Sequence, residues 1–450
     1  MIASRAHRRS LRGFTMVELL AAMAAGMMVA MGAFTFARAA TRSFQQESRV
    51  ANATSAAMLG FRRLSADVQR AGFLTSPNIQ REFRWEQDIC EDPTAAPPAF
   101  RNLTGITLDQ SGTYAPAGTT PVIDVANKVA PDRLTITGSF DTTEMFFVSS
   151  VDGSSGNNVV IRLQQNSGAV SRAVQPDSTG APSLGTSVQV GRIGRVIDTA
   201  GMQHYGVITA VAVNPGGAPQ ITLGGSPQIA VQGTPYAGAL NPRCKNGGIT
   251  GNGVGSLFNV VNRVRYEVRD LRNDPAYAAL YPATSAVSTD DALSDPGKSR
   301  HELVRTEIGV DDLPIGPNEV VAEYAVDLRF GATIDTANLP AVDTTTPYQP
   351  ILTTYDVGNT TVYPHATVAS LAVATAGPER IRSLRVRLSV RSREGDREAD
   401  VAPALQPVTL QNATPGSGGA YRYLLSNGSY ARVRTMQAEL SLGNQAGFFW

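Results

Sequence analysis

The chain has 450 residues, 42% hydrophobic and 17% charged, with 39 basic against 38 acidic side chains. That is enough for two or three domains, and too apolar for a disordered chain. Two cysteines exclude a disulfide-dense scaffold and a multi-cysteine zinc module, and a net charge of +1 gives no bulk electrostatic case for nucleic acid.

The apolar residues are unevenly spread, with a block at the N-terminus. Residues 1–13 carry Arg5, Arg8, Arg9 and Arg12 and no acid. From Phe14 to Ala37 only Thr15, Glu18 and Thr35 are polar. A helix of about 24 residues is roughly 36 Å long and spans a hydrocarbon core of about 30 Å. The arginine-rich side is expected to stay in the cytoplasm, sending the C-terminus outward. A conventional signal peptide is one reading, since Ala37-Arg38-Ala39 offers an A-x-A-like cleavage site and a mature start at Ala40. The apolar run is longer than the usual h-region, however, and Glu18 sits inside it. A plain signal anchor tolerates the length but leaves Glu18 unexplained. A carboxylate at a bilayer centre costs about 2.5–3.5 kcal/mol, and less near the end of a span.

The string Gly13-Phe14-Thr15-Met16-Val17-Glu18-Leu19-Leu20 resembles the processing site of type IV prepilins. The resemblance implies cleavage after Gly13 by a membrane-embedded prepilin peptidase, N-methylation of Phe14 and retention of the apolar helix. It also implies that Glu18 pairs with the free amine of a neighbouring subunit. The physics agrees: two charges in an apolar bundle are costly alone and tolerable paired. A carboxylate in the first turn also suits the helix dipole. Many members of that family carry prolines in this segment. None occurs here, which leaves Gly26 and Gly32 as the weak points of the helix.

Apolar residues then recur at Val50, Ala53, Ala57, Phe61, Leu64, Val68 and Ala71, a spacing of three and four that fits one helical face. This predicts one continuous helix from about Phe14 to Ala71, roughly 87 Å long, with Gly72 as its stop. Its outer half is expected to pack on a sheet rather than form a coiled-coil stalk. The segment Leu64-Ser65-Ala66-Asp67-Val68-Gln69-Arg70-Ala71-Gly72-Phe73 resembles the close of the first helix in PilW-type minor pilins. Weaker resemblances follow in order. Val264-Arg265-Tyr266-Glu267-Val268 resembles a mid-domain strand, Glu302-Leu303-Val304-Arg305 an "LxR" element, Val320 to Phe330 the next strand, and Ile381 to Ser392 a late strand.

Strands are expected to dominate from Asp132 onward. Arg133–Thr137, Val159–Leu163 and Val207–Val213 are rich in Val, Ile and Thr, and Gly/Pro/Asn/Ser/Asp clusters separate them. From Ile381 to Arg391 apolar residues alternate with arginines expected to face outward, balanced by nearby acids. The resulting order is a cleaved leader (1–13), a membrane and assembly half of the helix (14–37) and its amphipathic half (38–72). A β-rich region with a large insertion (73–246), a Gly-rich linker (247–255) and a β-rich pilin-like globular region (256–450) follow. Cys90 and Cys244 are an even pair in an oxidising compartment. A bridge would close a loop of about 150 residues, worth about 4–5 kcal/mol in the entropy model. Two separate buried thiols are the other reading.

Catalytic and cofactor signals are weak. His7, His204, His301 and His365 are far apart, with no H-E-x-x-H. The Gly251–Gly255 run lacks the Lys-Ser/Thr of a phosphate loop. Asp311, Asp312 and Glu319 fit no calcium-loop spacing and read as turn charges. No catalytic residue, cofactor or metal is expected, and the protein is expected not to be an enzyme. Loss of the leader removes four arginines and turns the net charge to about −3, so no nucleic acid is predicted as a partner.

The expected class is α+β: a long N-terminal pilin-like helix, transmembrane over its first half, packed on an antiparallel β-sheet-rich globular region. The resemblance implies a minor pilin that primes or caps a type IV pilus, serving motility or adhesion. It would sit in the inner membrane with a periplasmic C-terminal region before joining the surface fibre. Its partners would be the major pilin, other minor pilins, the prepilin peptidase and the inner-membrane assembly platform, with a tip adhesin as a further candidate. A pseudopilin of type II secretion is the first alternative. A secreted β-rich enzyme or binding protein with a conventional signal peptide is the second.

Overall fold

A computed structural model describes residues 15–79, 82, 103–109, 131–155, 158–185, 187–214, 217–224, 253–270, 301–316, 318–337, 349–357, 377–393, 422–425 and 430–446. The chain divides into two compact units between Asn52 and Ala53. One long helix, α1 (Met16–Gln69), belongs in sequence to both. Its residues up to Asn52 are mostly exposed, whereas Ala53, Ala57, Gly60, Leu64, Asp67 and Val68 are buried. The predicted stripe is therefore the buried face from Ala53 onward, with Val50 and Phe61 only half-buried. Gly72 follows in the left-handed region at φ 76°, where a residue without Cβ is favoured.

The second unit is antiparallel β. β1 (Ile106–Asp109), β2 (Arg133–Gly138), β10 (Leu257–Asp270), β11 (His301–Ile308) and β12 (Glu319–Ala322) pair in that order. A second sheet runs β14 (Leu352–Tyr355), β13 (Ala325–Asp335), β15 (Ile381–Arg391), β17 (Tyr430–Ser441) and β16 (Arg422–Leu424). Alternation supplies each sheet with an apolar face. Leu134, Ile136, Val264 and Val268 from the first, and Leu328, Phe330, Leu384 and Val386 from the second, share one core with Ala57, Leu64 and Val68 of α1 and with Ala71 in the turn that follows it. The fold is α+β in content, with the sheets dominant and a single long helix among the described residues.

The stretch expected as one strand from Val320 to Phe330 is two. It breaks at Glu323 and Tyr324, and Tyr324 takes φ 55°. Its N–H donates to the buried Glu302 carboxylate, 3.0 Å away, and its ring lies 4.9 Å from the Arg391 guanidinium. These contacts hold an unfavourable backbone conformation.

Between β2 and β10 the chain forms a barrel. β3 (Phe146–Ser155), β4 (Asn158–Leu163), β7 (Ile193–Ile197), β8 (Gln203–Ala212) and β9 (Gln220–Gly224) close with β10 into a ring ordered β10-β3-β4-β9-β8-β7-β10. Every pairing in it is antiparallel. Closure removes the exposed strand edges that an open sheet would leave. Phe146, Ile161, Leu163, Val196, Ile208, Ile221, Leu223 and Phe258 form its core, joined by Ala169 and Val170 of the short helix α2 (Gly168–Ala173), after which β5 (Gln175–Pro176) and β6 (Pro182–Ser183) form a short separate hairpin. The packing is tight: a Cβ on Gly194 would stand 2.6 Å from Leu223 Cδ2 and 2.8 Å from Phe258 Cε2.

One strand belongs to both assemblies. Residues 257–261 of β10 pair with β7 in the barrel, and residues 262–270 pair with β2 or β11 in the first sheet. A polar network marks the changeover. Arg192 grips Glu307 through two bonds of 2.7 and 2.9 Å and reaches Asp141 at 2.7 Å. Asn262 Nδ2 donates to both carboxylates, at 2.7 and 2.9 Å.

Candidate functional site on the N-terminal helix

The site is built from α1 itself. At its start Thr15 and Glu18 form a reciprocal cap. The Thr15 N–H and hydroxyl donate to Glu18 Oε2 at 3.0 and 2.9 Å, and the Glu18 N–H donates to Thr15 Oγ1 at 3.2 Å. The carboxylate is thus held by its own first turn. Thr15 was not singled out from sequence, although the T-x-x-E spacing is a recognisable signal. Gly13, Phe14, Cys90 and Cys244 lie outside the described residues.

The following turns expose their apolar side chains. Met16 is 81% exposed, Met28 75% and Phe36 77%. A continuous apolar surface of this kind marks a membrane or protein interaction site. α1 is the one helix among the described residues long and apolar enough to cross a bilayer. Nothing lies within 4 Å of a Cβ added at Gly26 or Gly32. The helix runs through both glycines, and through Ala37-Arg38-Ala39, without a break.

Within the second unit, the last turns of α1 are fixed by a buried charge. Asp67 is 3% exposed. Its Oδ2 accepts the Tyr266 hydroxyl and Arg305 Nε, each at 2.7 Å. Tyr266 and Arg305 are cross-strand partners on β10 and β11, so strand register alone brings them together. Burial, and then the negative charge of Asp67, push the Tyr266 phenol far above its ordinary range. Burial pulls the Arg305 guanidinium down, but Asp67 beside it outweighs that and raises it. Arg305 also approaches Glu319 at 3.5 Å, which Arg63 reaches at 3.3 Å. One turn earlier the helix meets β12 closely: a Cβ on Gly60 would stand 2.7 Å from Ala322 Cβ and 3.2 Å from the Val321 carbonyl.

Asp67, Tyr266 and Arg305 come from the strings Leu64–Phe73, Val264–Val268 and Glu302–Arg305. Separations of 199 and 238 residues hid their convergence in the sequence.

The remaining candidates have other roles. Asp312 pairs with Arg263 at 2.8 Å and Arg265 at 3.7 Å, and Asp311 Oδ1 accepts the Leu313 N–H. The arginines of β15 do not make an exposed basic row. Arg387 and Arg391 are buried, with Arg387 held by Asp327; Arg385 bonds Asp356 and Glu439, and Arg382 bonds Asp335. His204 faces Asp198 at 3.6 Å, both buried. Among the described residues no group of three His, Cys, Asp or Glu side chains could hold a metal ion. No protein-family model matches this chain, and no curated protein or solved structure matches it.

Proposed function

We propose that the chain is a pilin-like assembly subunit of the minor-pilin type, incorporated into a type IV pilus through its N-terminal helix. The observation that carries this reading is the two-part character of α1. Its first half is apolar and exposed, with Glu18 in the first turn, and its last turns are built into a β-sheet core through Asp67. Such a helix serves two solvents in turn, the bilayer and then the apolar interior of a fibre. It is also unbroken across Ala37–Ala39, where a conventional signal would be cut. The anchoring helix would be retained in the mature protein and the globular unit carried on the outer side of the membrane. Partners would be other subunits of the same class, with helix packing driving assembly and Glu18 setting register against a neighbour's N-terminal amine.

Determination of the N-terminus of the native protein tests the reading. A methylated Phe14 start is expected, and a mature chain beginning at Ala40 overturns it. Glu18→Ala is expected to leave membrane insertion and cleavage intact while reducing incorporation into fibres at least tenfold. Normal incorporation would remove the pairing role.

A further inference from the structure

The exit of α1 is closed by residues 375 positions further along the chain. A glycine in the left-handed conformation after a helix ordinarily returns its N–H to a carbonyl of the last turn. Here the Gly72 N–H donates instead to the Thr137 carbonyl at 2.8 Å, in β2. The Gln69 carbonyl, at the helix end, accepts Asn444 Nδ2 at 3.1 Å, across 375 residues of sequence. Asn444 belongs to a four-residue helical turn, α3 (Gly443–Ala446), that directly follows β17.

Its neighbour Gln445 is 0% exposed and packs against three separate stretches of chain. A Cβ on Gly72 would stand 3.4 Å from Gln445 Cγ, and one on Gly105 would stand 2.6 Å from its carboxamide. In the orientation that satisfies both of its polar atoms, that carboxamide donates to the Pro378 carbonyl at 3.0 Å and the Ile381 carbonyl at 3.2 Å. The Gln445 backbone carbonyl accepts Arg382 Nη1 at 3.3 Å. Leu442, just before the turn, is 1% exposed in the core shared with α1. Gly72 and Gly105 thus leave the room that a buried polar side chain fills.

We propose that α3 is a strap that closes the globular unit over the end of α1. The helix is made long before the residue that caps its Gln69 carbonyl, whereas the Asp67 and Val68 carbonyls are met locally by the Arg70 and Ala71 N–H groups. Seating of α1 on the sheets would then be complete only once residues 443–446 are in place, which makes Asn444 and Gln445 positioning residues for α1. The barrel has its own core and lies outside the strap's contacts, so it serves as an internal reference. The proposal does not depend on the pilin reading.

Hydrogen exchange on the full-length chain in detergent micelles tests it, comparing the native sequence with Asn444→Ala, Gln445→Ala and a chain ending at Leu442. Loss of the buried Gln445 carboxamide is expected to speed exchange about tenfold over residues 64–73 and 103–106, and loss of the exposed Asn444 cap to speed it at 64–73 by a smaller factor. Residues 159–163 and 220–223 of the barrel are expected to keep their rates. If the truncated chain does not fold, the two point variants decide. Unchanged exchange at 64–73, or an equal acceleration in the barrel, would overturn the proposal.

Discussion

Asp67 shows how one side chain fixes a helix on a sheet. It is buried, so its charge is tolerable only because Arg305 and the Tyr266 hydroxyl both point at the same oxygen. Removal of the carboxylate leaves the buried Tyr266 hydroxyl without its acceptor and the partly buried Arg305 with Glu319 alone, and Asp67→Ala is expected to destabilise the fold by about 3 kcal/mol in urea unfolding. Tyr266→Phe removes one hydrogen bond to a charged group and is expected to cost about 1.5–3 kcal/mol. The two variants also differ in their response to pH. The folded state raises the Tyr266 pKa above its ordinary 10.0, so the native protein holds this proton more tightly than the unfolded chain does. The associated stability is fully present below about pH 10 and is lost as the pH rises through the folded value. The gap between the native protein and Tyr266→Phe should therefore be constant from pH 7 to 9 and shrink above pH 10. A gap that stays constant to pH 11 would mean that burial and Asp67 together do not hold the proton on the phenol.

At the scale of elements, α1 carries three glycines whose surroundings predict different signs for the same substitution. Gly→Ala in an unobstructed helix gains about 1 kcal/mol in propensity. Gly26 and Gly32 have nothing within 4 Å, so Ala there should raise helix content in detergent, read by circular dichroism. Gly60 faces Ala322 Cβ and the Val321 carbonyl, neither of which can swing aside. Gly60→Ala should push α1 off β12 and lower the melting temperature, since overpacking of about 1–3 kcal/mol exceeds the propensity gain. A raised melting temperature would show that the contact is slack. The helix itself was legible in the sequence because its signal is local: the spacing of Ala53, Ala57, Leu64 and Val68 is set by 3.6 residues per turn. The strands at Arg133, Val159, Val207 and Ile381 were legible for the same reason. The closed barrel was not, because closure depends on β10 pairing with β7 across β8 and β9, a long-range pairing that no local spacing encodes. Nor was the burial of Arg387 and Arg391. Alternation places them on the face away from the apolar core, and says nothing of Asp327 or Tyr324, which cover them there.

At the scale of the whole molecule, β10 decides whether the barrel can melt alone. The barrel and the helix-bearing sheets have separate cores, which on their own would permit two transitions. Yet Phe258 and Val260 of β10 lie in the barrel core, while Val264 and Tyr266 of the same strand lie in the core under α1. Opening the barrel frees the first half of β10. It also breaks the Arg192–Glu307 and Asn262–Asp141 contacts, leaving Glu307 partly buried without its cation. That penalty ties the two cores together, so calorimetry of the globular unit in the full-length chain should give one cooperative transition. Phe258→Ala in the barrel should cost about 3–5 kcal/mol and Leu64→Ala on α1 about 2–5 kcal/mol. Each should move that single transition as a whole. Arg192→Ala should uncouple the cores, splitting the transition and letting Phe258→Ala shift only its lower part. If the native chain already melts in two steps and Phe258→Ala moves just one, the shared strand does not couple them.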